Sequence, residues 1–159
     1  MLKDKVLGCI VGGAVGDALG YPIEFRSHRE IVSQFGKSGV VEYVYDKGLI
    51  SDDTQMVLFT IDGLLKKNDG KYPFEEMKIC NDNIYESYLG WLSTQMLPYS
   101  QRKEFKNYDE DSVLLNTEEL YDLRAPGNTC LSALSLYIPL KGGYIIDSAK
   151  KLCFFATLP

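Results

Sequence analysis

Glycine spacing near the start constrains this chain most. Within residues 4–19, Gly8, Gly12 and Gly16 recur every fourth position, with Gly13, Ala14 and Ala18 nearby, so a helix here carries one face of very small side chains. Glycine in a helix interior costs roughly 1 kcal/mol against alanine. A helix holding several must recover that loss through close approach of other backbones, which predicts a central helix with its glycine face against neighbours. A phosphate-cradling loop would need a strand before it and a G-x-G-x-x-G or G-x-x-x-x-G-K pattern, and neither occurs.

With 159 residues, 45% of them hydrophobic, the chain can bury a core as one domain, residues 1–159. Its 17 basic and 22 acidic residues give a net charge of -5, and no long Lys/Arg run offers a phosphate-backbone footprint, which argues against nucleic acid as a partner. The apolar run at 6–19 falls short of the roughly 18 consecutive apolar residues of a membrane span and lacks an export cleavage site. No membrane association is expected. Cys9, Cys80, Cys130 and Cys153 are far apart, form no C-x-x-C and have one histidine, His28, beside them, which argues against zinc. Each lies in an apolar stretch and reads as a buried reduced thiol, so the expected compartment is cytoplasmic.

Along the chain the pattern is helical. Gly20-Tyr21-Pro22 should end the first helix, because proline disfavours the helical region for the residue before it and lacks a donor. Residues 23–25 then read as an extended turn and 27–35 as a loop with some helical content. The run 40–45 alternates weakly and suggests a short extended piece without a partner, so no sheet is supported. Ser51 is an N-cap candidate, Asp52 and Asp53 suit a first turn, and Val57, Ile61, Leu64 and Leu65 mark an apolar face. That helix should stop near residues 68–70. Pro73 should open a long amphipathic helix through Trp91, residues 98–111 read as a surface connection, and Asn128 should cap a last helix that Pro139 ends. Leu152, Phe154 and Phe155 lie close to the end, with little chain left to cover them.

Three acidic sites could carry chemistry: Asp17, Glu24 and the pair Asp52-Asp53. Each also has a structural explanation. Asp17 in an apolar helix fits a hydrogen-bonded core carboxylate, Glu24 fits a surface turn, and Ser51-Asp52-Asp53 fits any helix start. Their functional reading is that a serine hydroxyl and adjacent carboxylates are hard oxygen donors, suited to Mg²⁺ or Mn²⁺ rather than zinc. A cation there would oppose the helix dipole and need further carboxylates.

Three blocks in order, Gly12-Gly13-Ala14-Val15-Gly16-Asp17-Ala18-Leu19-Gly20-Tyr21-Pro22-Ile23-Glu24-Phe25, Ser51-Asp52-Asp53-Thr54-Gln55-Met56 and Arg124-Ala125-Pro126-Gly127-Asn128-Thr129-Cys130, resemble the ADP-ribosylglycohydrolases. This resemblance runs over about residues 6–137. It implies an all-α orthogonal helical bundle, two Mg²⁺ ions at the ribose of ADP-ribose, and hydrolysis of the glycosidic bond at that ribose's anomeric carbon in ADP-ribose or an ADP-ribosylated protein. Carried over, Ser51, Asp52 and Asp53 are metal ligands, Glu24 is the carboxylate near the substrate or its attacking water, and Asp17 supports the base of the site. Arg124 to Asn128 resembles the family's turn before an inner helix.

The family's late D-x-D-[ST] block has no counterpart after Tyr137, where Asp147 is the one aspartate. The expectation is therefore a truncated chain, its C-terminal part and second-ion ligands missing or supplied by a complementing C-terminal chain. The alternative is a catalytically inactive remnant or a structural protein with the same fold, because a lone Ser-Asp-Asp cluster cannot neutralise two divalent ions.

Overall fold

The structure, a computed structural model, describes residues 2–45, 47–65 and 77–135, with side chains in the helix from 77 onward described from residue 82. The chain is all-α: helices α1 (Leu2–Gly20), α2 (His28–Phe35), α3 (Asp52–Leu65), α4 (Met77–Met96) and α5 (Asn128–Ser135), with 3-10 turns at Tyr21–Ile23, Tyr99–Glu104 and Glu118–Tyr121. No strand occurs among the described residues, and the expected extended piece at 40–45 is irregular backbone. The chain divides into two compact units, residues 1–54 and 55–159.

In the first unit, α1 is an apolar helix with Asp4 in its first turn, where a carboxylate answers the helix dipole. It runs one residue past the expected end, through Gly20, and Pro22 sits within the 3-10 turn that follows, which suits its fixed φ. Glu24 is consequently in the right-handed helical region and not extended as expected. Ala18 is the buried residue of α1, at 4% exposure. Gly48 explains that burial: a Cβ there would stand 2.9 Å from the Tyr43 ring and 3.3 Å from Ala18 Cβ, so Gly48 lies close against the last turn of α1.

The expected packing of the glycine face is not found. Gly8, Gly12 and Gly16 are exposed, and no described atom comes within 4 Å of where their Cβ atoms would be. Leu2, Val6, Leu7, Val11 and Val15 are exposed with them. Small-residue spacing makes close approach sterically available without supplying the neighbour that uses it. Residues 2–23 also have a mean hydropathy of 1.5 and are long and apolar enough to cross a membrane, a property shared by core helices and signal sequences. The length argument against a span at the sequence level therefore does not hold. Cys9 is exposed, not buried, because it shares this uncovered helix.

Residues 27–35, expected as a loop with some helical content, hold the regular helix α2. Ser27 and Glu30 form a capping box in which Glu30 Oε2 accepts from Ser27 N–H at 2.7 Å and from its hydroxyl at 2.6 Å, while Ser27 Oγ caps the Glu30 N–H. Gly36, at φ 76°, ends the helix and donates its N–H to Val32 O.

The second unit is built on α3 and α4. At Gly63 an added Cβ would meet Ile84 Cα at 2.5 Å, so the two helix backbones touch there and only hydrogen fits. This is the close approach that the α1 glycines only suggest. Around it Phe59, Trp91 and Leu92 are almost fully buried, joined by Tyr88, Leu115, Leu120 and Leu134. Buried Gln55 is the polar centre, its Oε1 accepting from Trp91 Nε1 at 3.0 Å and from Gln95 Nε2 at 3.1 Å. The connection after α4 is less loose than its polarity suggests, with a 3-10 turn at Tyr99–Glu104 and Phe105 buried.

Helix α5 begins at Asn128, but its first bond, Leu131 N–H to Gly127 O at 3.0 Å, makes Gly127 the cap and not Asn128. The left-handed residue before it is Ala125, at φ 57°. The expected stop at 68–70, the Pro73 start, the Pro139 end and the apolar residues Leu152, Phe154 and Phe155 lie outside the described residues.

Candidate functional site

The acidic residues singled out in the sequence meet within the first unit. Asp17, on the last turn of α1, accepts through Oδ2 the Ser51 N–H at 2.8 Å and the Thr54 hydroxyl at 2.5 Å. A buried carboxylate needs such donors, and the half-buried Asp17 finds them at an α3 start whose first N–H groups have no intrahelical partner. Ser51 Oγ accepts from Asp53 N–H at 3.1 Å, an ordinary N-cap bond. Ser51, Asp52 and Thr54 are buried, while Asp53 is exposed.

Glu24 follows the 3-10 turn after α1 and is exposed. Its carboxyl is held above the usual glutamate range, first by desolvation and then by the negative charges of Asp52, Asp53 and Asp17. The charges of three aspartates thus act on Glu24. Asp17, Glu24, Ser51 and Asp53 line one open pocket of about 460 Å³ together with Tyr21 and Arg26.

Hydroxyl and carboxylate donors of this kind fit a hard divalent cation, which would relieve the mutual repulsion felt at Glu24. Among the described residues, however, no three acidic, histidine or cysteine side chains converge closely enough to form a complete metal site. The donor set is suited in kind and incomplete in number.

Two polar residues that contribute to this site, Thr54 through its bond to Asp17 and Arg26 in the pocket lining, were not singled out from sequence. Thr54 anchors Asp17, and its only sequence signal is its place in the Ser51 to Met56 block. Arg26 brings a positive charge to an otherwise acidic lining, and an arginine just past a turn carries no pattern that would mark it.

With this geometry in place, comparison with known proteins identifies the family. The ADP-ribosylglycohydrolase profile matches residues 1–150, so the chain belongs to that family, and the match extends beyond Tyr137, where the recognisable motifs end. Members of this family are hydrolases and generally metal-dependent. The chain is 42% identical over 61 residues to the ADP-ribosyl-[dinitrogen reductase] glycohydrolase of Rhodospirillum rubrum, a match covering 36% of this chain and 21% of that enzyme. It is 29% identical over 100 residues to the uncharacterized protein YegU of Escherichia coli strain K12, covering 57% of this chain and 28% of that protein. The matches therefore span about a quarter of the length of these relatives. No solved structure matches significantly.

Proposed function

We propose that this chain carries one side of the active site of an ADP-ribosyl hydrolase, cleaving the glycosidic bond at the anomeric carbon of ADP-ribose attached to a protein. The observation that carries this reading is the meeting of Asp17, Glu24, Ser51 and Asp53 around one pocket, with the charge of Asp52 also acting on Glu24, in a chain of this family. A protein substrate is supported by the printed activity of the Rhodospirillum rubrum relative.

In this reading Asp17 positions the site. Its two hydrogen bonds fix the start of α3 and so set where Asp52 and Asp53 stand. Asp52, Asp53 and Ser51 would hold Mg²⁺, which supplies orientation of the ribose hydroxyls and withdrawal of negative charge from the breaking bond. Glu24 faces the pocket with its proton affinity raised, which suits a carboxylate that takes a proton from the attacking water as the water oxygen bonds to the anomeric carbon. The departing group leaves with the glycosidic electron pair and acquires the proton that Glu24 takes from the water, so that water is added across the bond. An oxocarbenium-like centre next to several carboxylates is stabilised by their charge.

A second reading, a non-catalytic protein with the family fold, is favoured by the lack of three converging metal-binding side chains among the described residues. Mg²⁺ requires near-octahedral coordination, and positioning of the ribose against water is worth roughly 7–11 kcal/mol in favourable cases. On this basis the isolated chain should bind Mg²⁺ weakly and turn over far more slowly than a complete family site. Calorimetric titration with Mg²⁺ and a turnover assay on ADP-ribosylated peptide separate the two. Turnover abolished by Asp52→Ala supports the enzyme, whereas absence of turnover with unaltered folding supports the second reading.

A further inference from the structure

One fully buried polar side chain of α3 has no part in the chemistry above. Gln55 accepts through Oε1 from Trp91 Nε1 at 3.0 Å and from Gln95 Nε2 at 3.1 Å, and its own Nε2 donates to the Asp122 carbonyl at 3.4 Å. The carboxamide therefore has one allowed orientation. Turned over, it would set its N–H groups against two donors and its oxygen against a carbonyl.

Gln95 is itself turned toward Gln55. Its Nε2 also donates to the Leu120 carbonyl at 3.3 Å and the Thr94 hydroxyl at 2.8 Å, while its Oε1 is buried with no hydrogen-bond partner among the described residues. An unmatched buried acceptor is destabilising, yet the opposite orientation would place that oxygen against the oxygens of Gln55 and Leu120. The network leaves an acceptor of Gln95 unmatched and holds Gln55 in place.

Stability alone does not account for an amide at this position. An apolar side chain of the same volume would fill the space, and replacing hydrogen-bonded partners together by apolar groups is often nearly neutral. What the amide adds is direction, because a satisfied buried network specifies an orientation that apolar packing leaves open. Gln55 stands three residues after Asp52, on the same helix face, and about 100° of rotation past Thr54. Asp17 holds this turn at the Ser51 N–H and the Thr54 hydroxyl. A further fixed point in another direction removes rotation about the helix axis. In a helix roughly 10–12 Å across with its side chains, a rotation of about 10° carries a carboxylate at the rim by about 1 Å, beyond the roughly 0.5 Å within which a productive site must be held.

We propose that Gln55 is a positioning residue, setting the rotation of the first turn of α3 and so the direction in which Asp52 and Asp53 present their carboxylates. That these carboxylates hold a divalent cation rests on the proposed function, while their placement by Gln55 does not.

The test is amide hydrogen exchange on the full chain in EDTA, followed by Mn²⁺ titration read by water proton relaxation, for wild type, Gln55→Met, Gln55→Glu, Asp52→Ala and Leu134→Ala. Leu134→Ala, a core truncation on α5 outside the Gln55 network, is the control for lost stability, and circular dichroism checks that each variant folds. We expect Gln55→Met to lower protection of the Ser51 and Asp53 amides by about tenfold and to weaken Mn²⁺ binding by about tenfold. Leu134→Ala should match wild type in both, although its α4 amides exchange faster. Gln55→Glu, which keeps both accepted bonds, should lose less, and it carries the comparison if Gln55→Met does not fold. Ser51 and Asp53 protection unchanged in the Gln55 variants, or lowered as much by Leu134→Ala, overturns the proposal. Lost protection at Ser51 and Asp53 with Mn²⁺ binding indifferent to both Gln55→Met and Asp52→Ala, or absent in wild type, upholds the placement and removes the metal reading within the proposed function.

Discussion

Asp17 Oδ2 accepts the Thr54 hydroxyl at 2.5 Å, joining α1 to the first turn of α3 across 37 positions of chain. The same oxygen accepts the Ser51 N–H, so one carboxylate oxygen holds a backbone donor and a side-chain donor at the start of α3. Asp17→Ala should destabilise the chain by about 1–3 kcal/mol, and Asp17→Asn by less because an amide oxygen still accepts. A double-mutant cycle with Thr54→Val, read by urea unfolding, should show coupling of about 0.5–3 kcal/mol. Additive losses would mean that the two residues do not act as a pair.

Gly63 and Gly90 are both buried glycines in helices but should respond oppositely to alanine. At Gly63 the new Cβ meets the Ile84 backbone at 2.5 Å, which cannot move cheaply. Gly63→Ala should cost about 1–3 kcal/mol or more through overpacking. At Gly90 the nearest atoms, on Leu115 and Phe59, are 3.5 Å away, an ordinary contact. Gly90→Ala should be neutral or stabilise by about 0.5–1 kcal/mol from helix propensity. Thermal denaturation of the two variants checks the contrast.

Glu24 should titrate above an ordinary glutamate. Desolvation comes first among the causes, and the charges of Asp52, Asp53 and Asp17 add to it. Because the folded state holds this proton more tightly than the unfolded chain does, Glu24 contributes stability at pH below its unfolded value and loses that contribution as pH rises through its folded value. Carbon-detected NMR titration should place the Glu24 carboxyl high in wild type and lower in Asp53→Asn. An unchanged value in Asp53→Asn would remove the charge of Asp53 as a cause.

Gln55 should be intolerant of truncation. Gln55→Ala takes the acceptor from the fully buried Trp91 indole and leaves a hole beside it, for a loss of about 2–4 kcal/mol. Tryptophan fluorescence during denaturation reports this directly, since the chain has one tryptophan. A loss below about 0.5 kcal/mol would show that the indole finds another acceptor.

The helices were readable where local chemistry is strong. The Ser51-Asp52-Asp53 start is visible because an N-cap hydroxyl and first-turn acids act within a few residues, and the structure has the corresponding bond from Asp53 N–H to Ser51 Oγ. The Ser27/Glu30 capping box carries the same kind of signal three residues apart, yet the short α2 offers little periodicity beside it, so the sequence shows only a loop with some helical content there. At α5 the terminus was legible, but the first intrahelical bond, from Leu131 N–H to Gly127 O, puts the cap one residue earlier, at Gly127 and not Asn128. The acidic residues were recognisable as motif members, whereas their mutual distances were not.

The sequence by itself determined the helical class, the family and the identity of the acidic residues, because periodicity, capping and motif order are properties of neighbours along the chain. Tertiary structure alone decided which glycine touches a backbone. Gly8, Gly12 and Gly16 have the spacing for close packing but are exposed, while the single Gly63 meets Ile84, since contact requires a partner surface that no local pattern encodes. It also decided that Asp17 spends its oxygen on Ser51 and Thr54, and that Arg26 lines the acidic pocket. Each of these depends on how the turn after α1 brings side chains from separate stretches of chain into one place, and spacing in sequence does not specify a distance in space.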